Sequence, residues 1–248
     1  MLEDFREKRI DIYNDNIGGV ALIQHMGDDL TIVNSARASL GKVSTEMGER
    51  EEKLCNFLIR EGHTSTTEHN VLTFWIKVPL FVARQQMRHR TFSYNEISRR
   101  YTSQDIEFYL PSEVRKQDTK NRQASLDETF NPILSFDRFE VNPFPFKDIN
   151  TTSALRLFSE QALTVYYKMI DEGVSREQAR MLLPQNIYTT YWATGSLHNW
   201  VNSFIAKRDH EDAQYEIKVL AREISRQIKE LYPLAHANFV KHGKIPPV

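Results

Sequence analysis

Apolar positions along this chain change their spacing near its middle. In the first half, Val71–Val78 sets β-branched and aromatic residues (Val71, Thr73, Phe74, Trp75, Ile76, Val78) almost side by side, which predicts a buried strand. Pro79 closes that run, and Phe81–Arg88 reads as the start of a short helix. A shorter strand-like run holds Val20, Leu22 and Gln24. Helical spacing predicts helices over Asp28–Leu40 and Glu49–Arg60, the second with Leu54, Phe57 and Leu58 on one face and Gly62 to end it. In the second half the helical period dominates. Ser153–Glu172 carries Leu155, Phe158, Ala162, Val165 and Met169 at three- and four-residue steps before Gly173. Ser175 and Gln178 have the spacing of a capping box ahead of a helix stopped by Pro184. Leu197, Trp200, Val201, Phe204 and Ile205 mark another helix, and Ile217, Leu220, Ile224, Ile228 and Leu231 a long one ending before Pro233. The stretch from Arg115 to about Thr152 is polar, holds Pro132, Pro143 and Pro145, and keeps no period, so it reads as a surface excursion. The expected class is α+β: a central, mostly antiparallel sheet flanked by helices, a helix-rich C-terminal half, and residues 1–248 as a single domain.

Charge narrows the possible partners. Lys plus Arg is 32 and Asp plus Glu is 33, a net charge of −1. A protein that grips nucleic acid by its phosphates carries a clear basic excess, so nucleic acid is not expected as a partner and any bound anion should be small and locally held. The longest apolar run, around Val71–Val82, is broken by Lys77 and Pro79 and is too short to cross a bilayer. Early charges (Glu3, Asp4, Arg6, Glu7, Lys8, Arg9) leave no apolar stretch for a signal peptide. Cys55 is the single cysteine, so no intrachain disulfide is possible. A cytoplasmic location is expected, in a host cell if the chain is viral.

The chemistry is concentrated in one place. Five arginines (Arg84, Arg88, Arg90, Arg99, Arg100) fall within 17 residues that hold one acid, Glu96. His89, Ser93, Tyr94, Asn95, Ser98 and Tyr101 are interleaved with them. Arginine's planar fork suits phosphate, and crowding like charges costs repulsion unless an anion relieves it. A solvated salt-bridged face and an RNA-binding surface are the competing readings of such a cluster. Elsewhere, His63 and Glu68-His69 have no zinc-helix spacing, and no metal is expected. Cys55 lies beside Leu54 and Phe57–Leu58, where a thiol is more often core than nucleophile. Taken alone, Arg180 reads as a surface partner of Glu177 or Glu172, and Arg208 as a helix-end cation near Asp209 and Glu211. No glycine-rich dinucleotide fingerprint is present.

The pattern Arg88-His89-Arg90-x-x-Ser93-x-Asn95-Glu96-x-Ser98-x-Arg100-Tyr101 resembles the signature of the flavin-dependent thymidylate synthases, with nine specified residues in fourteen positions. Gly62-His63, Glu68-His69 and Phe81-Val82-Ala83-Arg84-Gln85 upstream are similar to the same family. So are Arg176-Glu177-x-Ala179-Arg180, Leu183-Pro184, Tyr188-Thr189, Thr194-Gly195, Asn202, and Arg208 followed by Ala213-Gln214-x-Glu216-Ile217. The resemblance implies a homotetramer with active sites between subunits. It implies conversion of dUMP to dTMP, with methylenetetrahydrofolate as carbon donor and FAD, reduced by NADPH, as hydride source, without a cysteine nucleophile. It makes Arg208 the catalytic cation beside the uracil. It assigns dUMP to Gln85, Gln86, Arg88, Glu96, Ser98, Arg99, Arg100, Arg180 and Arg208, and FAD to His63, Ser65, Arg88, His89, Arg90, Glu96, His198 and Asn202. His198 stands where an arginine is common in the family, and Asp212 where a histidine is usual. One extra residue separates Asn202 from Arg208, and the 115–152 excursion is longer than usual.

Overall fold

The computed structural model describes residues 7–122, 125–136, 144 and 146–248. Glu3, Asp4, Arg6, Pro143 and Pro145 lie outside the described residues. The chain forms two compact units: Met1–Val78, Val82–Glu96 and Thr189–Val248 make one, and Pro79–Phe81 with Ile97–Tyr188 the other.

The first unit opens with strands β1 (Ile10–Asp11) and β2 (Gly19–Met26), then helices α1 (Asp29–Arg37), α2 (Glu49–Arg60) and α3 (Ser65–Glu68). Strand β3 (Val71–Pro79), helix α4 (Leu80–Gln86) and strand β4 (Ser93–Glu96) follow. The second unit contributes β5 (Val114–Gln117), β6 (Ser125–Phe130), β7 (Ile133–Ser135), β8 (Asp148–Asn150), α5 (Thr151–Asp171) and α6 (Arg176–Ala179). Strand β9 (Tyr188–Ser196) then leads to a π-helical turn, Asn199–Ile205, and to α7 (Ala206–Arg208), α8 (Tyr215–Leu231) and α9 (Pro233–Lys241).

The first unit is built on a five-stranded sheet in the order β1-β2-β3-β9-β4. Pairs β1–β2, β2–β3 and β4–β9 are antiparallel. Leu72, Phe74, Ile76 and Val78 of β3 are fully buried and Trp75 nearly so. A strand buried on both faces needs a continuous apolar run, which is what β3 carries. Its neighbour β2 slips register between Leu22 and Gln24, so the alternation visible there in the sequence is interrupted by a bulge. Trp200 packs edge-on to Phe74 and Phe92, with ring centroids 4.9 and 4.5 Å away, and its indole N–H donates to the Leu72 carbonyl at 3.2 Å. Ile217, Leu220, Ala221, Ile224 and Ile228 of α8 are fully buried, as their spacing predicts. Buried Asp29 accepts from the backbone N–H groups of Leu234 and Ala235, both at 2.9 Å, and so caps the start of α9. Burial nevertheless raises its carboxyl above the ordinary value.

In the second unit, β5 pairs with β6 and β7 with β8, both antiparallel, so the 115–152 stretch contains two ribbons that its polar sequence concealed. The Asn150 side chain accepts from Ser153 N–H at 2.8 Å and starts α5. Three further expectations differ from what forms. Ser175 makes no side-chain cap; backbone bonds from Gln178 and Ala179 to its carbonyl close a single turn instead. Of the apolar stripe on α5, Phe158 and Val165 stay exposed, and Ala154, Ser159 and Tyr166 are buried in their place. On α2 it is Cys55, Leu58 and Ile59 that face the core, while Phe57 is exposed. Among the described residues no helix is long and apolar enough to cross a membrane.

Candidate active site

Residues 87–92 connect α4 to β4 and carry the core of the arginine cluster. Several groups fix this loop from inside the first unit. The His89 N–H donates to the Gln86 carbonyl at 2.9 Å, and the Tyr94 hydroxyl donates to the carbonyls of Gln86 and His89 at 2.9 and 3.2 Å. Asn199, in the π turn, donates its amide to the Thr91 carbonyl at 2.9 Å. The Phe92 ring lies over Gly195, where a Cβ would sit 2.5 Å from it. Fully buried Gln86 takes the Tyr191 hydroxyl on its amide oxygen at 2.5 Å, and burial raises the pKa of both Tyr94 and Tyr191, keeping their hydroxyls protonated. The loop is thus held by half-buried donors while Arg84, Arg88 and Arg90 are exposed. Among the described residues these three guanidiniums make neither hydrogen bond nor ion pair, so an incoming anion meets cations that no protein carboxylate has neutralised.

Arg208 joins the same cluster from α7. Its Nε donates to His89 Nε2 at 2.9 Å and its Nη2 to the Gln85 carbonyl at 3.2 Å. Both acceptors are neutral. The acids next to it in sequence are directed elsewhere: buried Asp209 pairs with Arg222 Nε of α8 at 2.9 Å, and Glu211 is exposed. Arg208 thus ends α7, as a helix-end cation would, yet has no carboxylate within ion-pair distance among the described residues. Burial and the neighbouring Arg88 lower its pKa from an ordinary arginine's. His89 is pushed down to about 4 by burial, then by Arg208, Lys207 and Arg88, so its ring is neutral at physiological pH. The Gln85 side chain bonds the Gln214 amide.

The remaining predicted residues separate by environment. His63 and Ser65 are exposed, and the His63 ring lies against Phe57 with centroids 5.7 Å apart. Asn202 Nδ2 lies 3.0 Å from His198 Nδ1, one side chain above the other on the π turn. Glu96 accepts from the Thr189 hydroxyl at 2.5 Å. In the second unit, Arg100 contacts Ser98 Oγ at 3.4 Å and lies over the Tyr101 ring at 5.2 Å. Arg180 is exposed and, among the described residues, donates to the Glu177 carbonyl at 3.2 Å and pairs with no acid. Arg99 and Gln86 are different in kind. Arg99 donates to the carbonyls of Gln104 and Asp105 at 2.6 and 3.2 Å, and Gln86 is sealed in the core. Cys55 is fully buried, and burial pushes its thiol up to about 12. The guanidiniums of Arg88 and Arg90 are exposed, as are Ser65 and His63, and these with the half-buried Asn202 amide are donors of the chemical kind that the diphosphate and ring carbonyls of a flavin dinucleotide would need.

Reading the sequence missed the supports. Asn199, Phe92 with Gly195, the Ser203 carbonyl and the Asp209–Arg222 pair are scattered along the chain, and only the fold brings them to the loop. Strand β9 was legible in principle, since Tyr188, Thr189, Thr190, Tyr191 and Trp192 form a run of aromatic and β-branched residues.

Residues 21–234 match the family described as thymidylate synthase complementing protein. The chain is 40% identical over 225 residues to a flavin-dependent thymidylate synthase of Thermus thermophilus, covering 91% of this chain and 76% of that one. It is 38% identical over 227 residues to the flavin-dependent thymidylate synthase of Wolbachia pipientis wMel, covering 91% and 74%. Among solved structures, a UMP/dUMP methylase PolB from Streptomyces cacaoi, bound with 5-Br UMP, superposes with a TM-score of 0.73 at 26% identity, covering 93% of this chain and 96% of that one. With its arginine loop, its uncompensated Arg208 and these relatives, the chain belongs to the thymidylate synthase complementing protein family, that of the flavin-dependent thymidylate synthases.

Proposed function

We propose that this enzyme methylates dUMP to dTMP, taking its carbon from methylenetetrahydrofolate and its electrons from NADPH, with Arg208 rather than a cysteine activating the uracil. The observation that carries the reading is the guanidinium of Arg208, held by two neutral acceptors and approached by no carboxylate among the described residues. Such a cation beside the pyrimidine stabilises negative charge at N3 and raises electron density at C5, the position that receives the carbon. Cys55 supports the same reading, since a fully buried thiol pushed up to about 12 is a poor nucleophile.

Arg88, Arg100 and Arg180 would hold the nucleotide's phosphate, and Gln85, Glu96 and Ser98 its polar groups. Gln86 and Arg99 would act at one remove, because Gln86 is fully buried with its amide oxygen on the Tyr191 hydroxyl and Arg99 is bound to the carbonyls of Gln104 and Asp105. His63, Ser65, Arg88, Arg90, His198 and Asn202 would hold FAD. A flavin held there would supply the hydride that completes the methyl group, and NADPH would restore it. Residues 1–248 would serve as one catalytic domain, four copies of which assemble with active sites between subunits. Apolar side chains left exposed at Phe158, Val165, Met181 and Tyr101 support that assembly.

The test is the visible spectrum of the purified protein with FAD, before and after dUMP, alongside light scattering. A bound-flavin spectrum that shifts with dUMP, from a tetramer, is the expected result. A protein that leaves FAD free, or that scatters as a monomer, contradicts the reading. UMP enters the same titration because the solved PolB methylase is named for both nucleotides.

A further inference from the structure

We propose that His89 is a positioning residue for Arg208: its neutral ring, fixed in one tautomer, aims the guanidinium without discharging it. The inference rests on Arg208 acting as the activating cation. It reassigns His89, whose ring the family resemblance gives to the flavin.

The geometry is over-determined. Arg208 is a donor only, so the bond from its Nε at 2.9 Å requires a lone pair on His89 Nε2. The ring's remaining proton then sits on Nδ1, and the backbone of nearby Ser203 favours a protonated ring nitrogen. The ring's polar atoms are therefore engaged inside the protein. The residue is 9% exposed, its ring meets Phe204 edge-on at 5.5 Å, and its backbone is tied at N–H to Gln86 and at C=O to the Tyr94 hydroxyl. A side chain with no free polar atom and little exposed surface has nothing to offer a cofactor except its position.

The choice of residue follows from what Arg208 must do. A carboxylate in this place would orient the guanidinium equally well but cancel the charge that N3 has to feel. A carbonyl such as that of Gln85 accepts one edge of the fork, and a neutral imidazole accepts a second. Two neutral acceptors fix the plane, and Nη1 is left with no partner among the described residues, facing no competing acid. Ser203 and Phe204, which hold the imidazole, both lie in the π turn Asn199–Ile205. A π turn often marks a functional site in a helix, and here it supplies the backbone that favours a protonated ring nitrogen on the histidine.

The experiment compares wild type with His89→Gln, His89→Ala and His89→Gly, reading FAD and dUMP binding by the visible spectrum and kcat by dTMP formation. The expected result is a fall in kcat of about 10- to 100-fold for His89→Ala, the range for losing a hydrogen bond to a charged group, with FAD and dUMP affinities changed by less than about 3-fold. His89→Gln, whose amide oxygen accepts, restores most of the rate. Added imidazole restores kcat in His89→Gly, and the restored rate rises with the neutral fraction of imidazole as pH increases. Loss of FAD binding with His89→Ala, or full kcat in that variant, overturns the proposal. So does a rate defect that neither glutamine nor imidazole repairs. A wild-type protein that makes no dTMP would instead remove the underlying function, which separates the two failures.

Discussion

Arg208 and Cys55 occupy opposite chemical situations, and the contrast is why the proposed pyrimidine activation falls to the guanidinium and not to the thiol. The thiol sits in the core face of α2, where desolvation and the nearby Asp29 carboxylate both disfavour the thiolate, and the neighbouring Asn238 amide offsets this only in part. The guanidinium sits half-buried among cations and neutral acceptors, with its adjacent acid drawn away to Arg222. Cys55→Ala should therefore keep dTMP formation near the wild-type rate and lower stability by about 1 kcal/mol, as ordinary core trimming does. The native thiol should also resist alkylation until the protein unfolds. A folded Cys55→Ala enzyme without turnover would place the cysteine back in the mechanism.

At the scale of elements, the arginine loop is a surface feature made rigid by buried neighbours. Gly195 in β9 leaves room for the Phe92 ring, and Phe92 in turn packs on Trp200 of the π turn. Gly195→Ala would drive a Cβ to 2.5 Å from that ring, so the loop must shift. We expect about 1–3 kcal/mol of destabilisation, the usual cost of overpacking, with weakened FAD and dUMP binding although no ligand-contacting residue has changed. A thermal melt and the visible titration check this, and an unchanged melt with wild-type binding would refute it. Much of the fold was legible beforehand because local rules agreed with the tertiary outcome. β3 is apolar on both faces, and α8 keeps its stripe over four turns. Where sequence misled, a tertiary partner decided. The stripe on α5 remains partly exposed, and β5–β8 form ribbons from strands that are exposed or half-buried and so carry no strong apolar signal. The extra residue seen between Asn202 and Arg208 coincides with a π turn, which takes one residue more per hydrogen-bonded loop than an α turn.

The site was legible in a different way from the fold. The signature named the residues, but not what each one faces. Arg88 and Arg90 stand outward, as an anion site requires, whereas Arg99 is spent on the carbonyls of Gln104 and Asp105, and Gln86 on the Tyr191 hydroxyl. No spacing rule distinguishes Arg88 from Arg99. Only the partners do, and those come from residues distant in the chain.

For the molecule as a whole, the net charge of −1 coexists with a concentrated positive site, so selectivity for a small anion comes from local placement and not from the overall field. The most direct measurement is dTMP formation from dUMP with methylenetetrahydrofolate, FAD and NADPH, comparing wild type with Arg208→Gln. The account predicts NADPH-dependent dTMP from the wild type. It predicts a loss of about 100- to 1,000-fold in kcat for the variant, comparable to removing a preorganised charge-stabilising donor, with flavin still bound. Undiminished turnover by Arg208→Gln would contradict it.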